Sequence, residues 1–170
     1  MHALETWHDF FVLVGTAGAT LLALLFVAVS LGAGFLSDGR ADATRAFFSP
    51  VVVHFSAVFF LSAIALVPNH GPLFLVVIGA CALVGLGVSL YATVQLLRHD
   101  WTRYKQDHLG YGLLPTVSYI ALLVAAAMIC ARYESAVDVL AGALLVLLLV
   151  NVRNAWDLTL SMVQHQTRKH

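Results

Sequence analysis

The stretch LFLVVIGACALVGLGVSLYATVQLL (73–97) decides the fold class, because it contains no charged residue. It exceeds the ~20 residues that a helix needs to cross ~30 Å of hydrocarbon. Four further apolar segments, at about 7–35, 47–67, 113–132 and 137–163, are also long enough. The sequence therefore predicts an all-α polytopic membrane protein, in which five transmembrane helices form a bundle and residues 1–170 make a single transmembrane domain.

The composition agrees with this class. Of the 170 residues, 61% are hydrophobic and 11% are charged, and the formal net charge is zero. Because the basic residues are few and scattered, we predict no nucleic-acid surface. The first basic residue is Arg40, so the N-terminal segment lacks the positive start of a cleavable signal and is interpreted as a retained helix. Cys81 and Cys130 lie in apolar segments and are expected to be reduced core thiols.

The positions of lysine and arginine predict the orientation. One set of alternate connections and the tail carries seven of them: Arg40, Arg45, Arg98, Arg103, Lys105, Arg168 and Lys169. The opposite side carries Arg132 alone, and Arg153 lies inside the fifth segment. Since basic connections stay in the cytoplasm, the N-terminus is predicted outside and the C-terminus inside.

Helix-start patterns support the segment boundaries. TWHD (6–9) and SAVD (135–138) each place a carboxylate three residues after a hydroxyl residue, which is the spacing of a capping box. Capping therefore accounts for Asp9 and Asp138 without a catalytic role. Prolines at the first helical position are expected to start the second, third and fourth helices; they are Pro50, Pro72 and Pro115.

Small residues four apart predict close helix packing on two segments. They are Gly15, Ala19 and Ala23 on the first, and Cys81, Gly85 and Ser89 on the third.

Catalytic and cofactor chemistry finds little support. Six polar residues at the predicted outer helix ends could bind a metal, but their spacing matches no specific metal motif. They are interpreted as solvated residues at helix ends: His2, Glu5, His8, Asp9, His70 and Glu134. His54 is the one histidine within a segment, whereas a membrane haem needs paired axial histidines. No GxSxG or HExxH motif is present. We predict no enzyme, no cofactor and no metal site.

The end of the fifth segment, NVRNAWD (151–157), brings polar residues into the inner half of the predicted membrane. Together with residues at similar depth on other helices it predicts a polar cluster: His54, Asn151, Arg153, Asn154 and Asp157, with Tyr119, Thr93 and Gln95 nearby. Two interpretations stay open. The cluster lines an ion or solute pathway, or it is a structural group at the membrane boundary in which Arg153 pairs with Asp157 one turn away.

The first segment, WHDFFVLVGTAGATLLALLFVAVSL (7–31), carries a resemblance. Its W-x-D-F start and small-residue core resemble the opening helix of a group of small bacterial five-helix integral membrane proteins without a characterised activity. The resemblance implies a bacterial inner-membrane protein and transfers no activity. The tryptophan- and proline-rich pattern of the tryptophan-rich sensory family is missing, as is a TVGYG selectivity filter.

Two functions follow as hypotheses. The first is a homo-oligomeric channel or small-solute permeation protein, because five helices in one chain leave little room for a pore within that chain. The second is a non-catalytic accessory or regulatory subunit of a larger membrane complex. The expected partners are the lipid bilayer and either further copies of the chain or another membrane protein.

Overall fold

A computed structural model describes residues 6–32, 41–68, 71–98 and 112–167. Those ranges contain five α-helices: α1 His8–Gly32, α2 Ala41–Ala65, α3 Pro72–Arg98, α4 Leu114–Cys130 and α5 Ala136–Thr167. The predictions of an all-α fold and of five helices are confirmed for the described part of the chain.

Three of the described helices are long and apolar enough to cross a membrane, by length and composition. They contain the spans His8–Ala28, Pro72–Val94 and Ala136–Asp157. Pro50–Ala65 and Leu114–Cys130 are shorter apolar helices. This architecture is compatible with a membrane protein.

The helices form a closed bundle. Each helix packs on the next along the chain, and α5 also packs on α1 and α2. Glycines mark the closest approaches in the α1–α2 seam, where Gly15 lies beside Ser62 and Gly18 beside Val58. As the residue number rises on α1 it falls on α2, so the two helices are antiparallel.

The surface of the bundle is apolar and its interior contains polar side chains. Large hydrophobic residues are exposed on every helix, among them Leu13, Phe60, Leu73, Ile120 and Leu149. The buried polar residues are His54, Ser62, Ser89, Ser118, Asn151 and Asn154. This distribution suits a bundle in lipid, where apolar side chains gain little from leaving the solvent and interior polar groups bond between helices.

Two of the three proline predictions are confirmed. Pro72 is the first residue of α3, and Pro115 lies within the first two positions of α4. The prediction for Pro50 is wrong, because α2 begins at Ala41 and runs through Pro50. An internal proline removes one backbone hydrogen bond and bends a helix without necessarily ending it, and alanines favour the preceding turns.

A compact turn joins the end of α4 to the start of α5. The backbone nitrogens of Arg132 and Tyr133 donate to the carbonyl oxygens of Ile129 and Met128, at 3.1 and 3.0 Å. Arg132 has φ 61°, so this is a Schellman motif with arginine at the position that usually holds glycine. Ser135 directly precedes α5 and Asp138 lies in its first turn, as the capping pattern predicts. At the other predicted cap, Asp9 lies in the first turn of α1.

The small-residue stripe on α1 differs from the prediction. Gly15 is buried as expected, but Ala23 is exposed, and the buried face instead includes Phe11, Gly18 and Leu25. A helix turns by about 100° per residue, so a strict spacing of four drifts away from the contact face. On α3, by contrast, Gly85 and Ser89 are buried as predicted.

Candidate functional site

The five residues of the predicted polar cluster separate into two groups. His54, Asn151 and Asn154 are buried inside the bundle, whereas Arg153 and Asp157 lie on its outside. On α5 the members of each group lie one turn apart, Asn151 and Asn154 at a spacing of three and Arg153 and Asp157 at a spacing of four. The structure thus brings together the histidine and the two asparagines, and places the charged pair elsewhere.

His54 and Tyr119 form the centre of the interior group. Nδ1 of His54 lies 2.7 Å from the Tyr119 hydroxyl oxygen, and both side chains are buried. This contact joins α2 to α4. Gly85 on α3 makes room for the tyrosine, since a Cβ added there would overlap the Tyr119 ring.

Asn151 joins α5 to α2 at the same level. Its Nδ2 atom donates to the carbonyl oxygen of Val51 at 3.4 Å, which is a long hydrogen bond. Because a carbonyl oxygen only accepts, the atom facing it must be the amide nitrogen, and Oδ1 faces away from Val51. That oxygen is buried and has no hydrogen-bond partner among the described residues, and the same holds for Nε2 of His54 and for Oγ of Ser62.

Hydroxyl groups join α3 to α4 nearer the cytoplasmic ends of these helices in the predicted orientation. The hydroxyl oxygens of Ser89 and Thr116 lie 2.7 Å apart, and they lie 3.2 and 2.8 Å from the carbonyl oxygen of Gly112. Each hydroxyl has one hydrogen, so one of the two donates to Gly112 while the other donates to its neighbouring hydroxyl. Thr93 donates to the Ser89 carbonyl oxygen at 2.8 Å. These side chains are satisfied by helix-to-helix and intrahelical bonds, which is a structural role. The Gln95 side chain lies outside the described part of the structure.

The charged pair is the accessible part of the cluster. Nε of Arg153 lies 3.9 Å from Oδ2 of Asp157, and the two side chains are 57% and 41% exposed. The predicted pair therefore exists as a long contact, and an exposed pair of this kind contributes little to stability in water. Both residues lie within the candidate span Ala136–Asp157. The sequence did not predict that these two residues face outwards.

A groove lies beside Arg153, between α1 and α5. Its volume is about 530 Å³. The lining is almost entirely apolar and includes Leu21, Leu25 and Phe55, with Arg153 and Trp156 on the α5 side. A cationic side chain at the edge of an apolar groove is costly unless an anionic or polar partner covers it.

The described residues offer no group of three or more His, Cys, Asp or Glu side chains that could hold a metal ion. Of the outer polar residues, His8 and Asp9 contact each other, with Nδ1 and Oδ1 3.2 Å apart. His2, Glu5 and His70 lie outside the described residues. Both cysteines are free thiols. Cys81 packs against the core, but Cys130 is exposed, so the expectation of a core position is wrong for Cys130, the last residue of α4.

No family model, curated protein sequence or solved structure matches this chain.

Proposed function

We propose that the chain is a bacterial inner-membrane protein with five spanning helices, an external N-terminus and a cytoplasmic C-terminus. The seven-to-one distribution of basic residues between the two sides supports this orientation. The two shorter apolar helices, α4 and the Pro50–Ala65 part of α2, bring the proposed number of spanning helices to five. α4 has 17 residues, which at ~1.5 Å per residue gives ~26 Å, and a few ångströms of mismatch are accommodated by local thinning of the bilayer.

The proposed function is permeation of small ions or solutes by a homo-oligomer, with the pathway between copies of the chain. The observation that carries this proposal is the position of Arg153 and Asp157, which lie within a span but outside the bundle. The interior polar residues of a single chain are buried among its helices. A pathway between copies would instead be lined by the accessible pair, whose charges would select the sign of the permeant ion.

A second copy is the partner that the charges favour. A surface bearing both Arg153 and Asp157 is complementary to itself, because Arg153 of one copy can face Asp157 of another in a symmetric assembly. Such a contact would remove both charges from lipid, where an isolated charge costs about 2.5 kcal/mol or more.

A non-catalytic accessory subunit is the second candidate. The closed polar interior favours it, since His54, Tyr119 and Asn151 act there as contacts between helices of one chain. In this case the Arg153–Asp157 face would pack against a different membrane protein, and the purified chain alone would be monomeric.

Purified protein reconstituted in liposomes distinguishes the candidates. For the permeation protein we expect an oligomer in detergent, dissipation of an imposed gradient of a monovalent ion, and an altered cation-to-anion preference in Arg153→Gln and Asp157→Asn. The charge swap Arg153→Asp with Asp157→Arg keeps the complementarity and is the matched control for assembly. An intact oligomer with the flux of empty liposomes, over cations, chloride and protons, would contradict permeation. A strict monomer would contradict it as well and would favour the accessory subunit.

The orientation has its own test. Single cysteines at His2 and His170, in a background with Cys81→Ala and Cys130→Ala, should react with an impermeant maleimide from opposite faces of intact cells. The His2 position should react from outside. Labelling of both positions from one face would contradict an odd number of spans.

A further inference from the structure

We infer that His54, Tyr119 and Asn151 form an internal binding site for one water molecule, at the junction of α2, α4 and α5. The inference concerns the interior of a single chain, and it does not depend on permeation or on an oligomer. It is carried by two buried polar atoms that have no hydrogen-bond partner among the described residues, Nε2 of His54 and Oδ1 of Asn151.

The backbone of α2 places these two side chains next to each other. In a helix the carbonyl oxygen of one residue lies beside the side chains three and four positions later, which is why serine and threonine reach back to it. The Val51 oxygen therefore lies beside His54, and the Asn151 amide is bonded to that oxygen. Helix α5 packs on both α2 and α4, the helices that carry His54 and Tyr119, so Asn151 enters the same junction.

The tyrosine determines which histidine nitrogen carries the proton. The Tyr119 hydroxyl hydrogen needs an acceptor, and Nδ1 of His54 is its hydrogen-bond partner among the described residues, at 2.7 Å. If the hydroxyl donates to Nδ1, a neutral ring carries its hydrogen on Nε2. The opposite arrangement, in which Nδ1 donates to Tyr119, would leave the hydroxyl hydrogen without an acceptor in the described interior.

The remaining atoms then determine the chemistry of the ligand. Nε2–H is a donor and Oδ1 is an acceptor, so the ligand must accept one hydrogen bond and donate another. Water does both, and buried waters commonly bond two to four protein groups that lack other partners. A metal cation is disfavoured, because Nε2–H would point a hydrogen at it. In the opposite tautomer both atoms would be acceptors, and a water molecule would have to donate one hydrogen to each.

Solid-state NMR on the full-length protein in liposomes, with ¹⁵N-labelled histidine, tests the inference. The His54 signals are those that disappear in His54→Gln. We expect an unprotonated Nδ1, a protonated Nε2, and magnetisation transfer from water to the Nε2 hydrogen. Asn151→Leu should reduce this transfer severalfold. The matched control is Ser62→Ala, which removes a buried hydroxyl two turns along α2 and should leave the transfer unchanged.

Several results would overturn the inference. A proton on Nδ1 would contradict the assigned tautomer, and absence of water transfer in the unmodified protein would mean that the site is dry. Equal loss of transfer in Asn151→Leu and Ser62→Ala would point to general disorder. None of these readouts requires flux or an oligomer, so a failed permeation assay leaves the result unaffected.

Discussion

The two faces of α5 within NVRNAWD (151–157) differ in chemistry although they share one depth. The inner face presents Asn151 and Asn154, which are buried among other helices. The outer face presents Arg153, Trp156 and Asp157, which are exposed or half-buried. On this helix the neutral amides belong to the interior contacts of the chain, while the charges remain available to a partner.

The two faces also differ in how they are held. The interior polar residues take part in contacts between helices, including the His54–Tyr119 bond between α2 and α4. The outer pair consists of two residues one turn apart on the same helix, joined by a long contact of 3.9 Å. We therefore expect substitutions inside to change the stability of the single chain, and substitutions outside to change assembly.

The largest effect is expected where the interior is most tightly packed. Gly85→Ala places a methyl group where the Tyr119 ring lies, so the ring must move and its bond to His54 is lost. We expect the free energy of unfolding to fall by about 2–5 kcal/mol, measured by denaturant titration in detergent micelles. Gly87→Ala is the matched control, because an added Cβ there meets nothing within 4 Å; it should be neutral or slightly stabilising. Equal effects would show that the two faces of α3 are packed alike.

A smaller loss should follow from removing one hydroxyl group. Tyr119→Phe keeps the buried ring but leaves Nδ1 of His54 without its 2.7 Å partner. The expected cost is about 1 kcal/mol, near the typical value for a hydrogen bond between helices in a membrane protein. Tyr133→Phe, at an exposed tyrosine beyond the end of α4, should change stability by less than about 0.5 kcal/mol. If Tyr119→Phe changed the free energy of unfolding as little as Tyr133→Phe, the His54–Tyr119 bond would not distinguish the interior from the surface.

The smallest effect is expected at Asn151. Its hydrogen bond to Val51 is long, the Val51 oxygen keeps its helical bond, and leucine removes a buried oxygen that lacks a protein partner. We predict that Asn151→Leu changes the free energy of unfolding by less than about 1 kcal/mol in either direction, by the same titration. A loss of more than about 2 kcal/mol would mean that this amide contributes more to the bundle than its geometry indicates.

Much of the fold follows from the sequence because hydropathy indicates where a long apolar helix lies along the chain. The segment predicted at 73–97 corresponds to Pro72–Arg98, and that at 113–132 to Leu114–Cys130. The start of α2 was predicted too late, since a proline at a first helical position and a proline inside a helix look alike in one sequence.

The candidate site was harder to predict for a physical reason. Depth along a helix follows from residue number, and so the shared level of His54 and Asn151 was foreseeable. The direction in which a side chain points depends on where the neighbouring helices lie. An apolar helix of this kind carries little asymmetry that would indicate its inner face. The separation of Asn151 from Arg153, and the space that Gly85 leaves for Tyr119, depend on these neighbours.

The contacts of His54 have a consequence for biosynthesis. Its partner Tyr119 lies 65 residues later in the chain, and the Asn151–Val51 bond spans 100 residues. At about 5–20 residues synthesised per second, Tyr119 is made roughly 3–13 s after His54. Helix α1 is made before α2, so the Gly15–Ser62 and Gly18–Val58 contacts need no residue that is still to be synthesised. The α1–α2 pair must therefore tolerate an unpaired histidine on the ribosome-bound chain, and the polar layer closes only when α4 and α5 have been made.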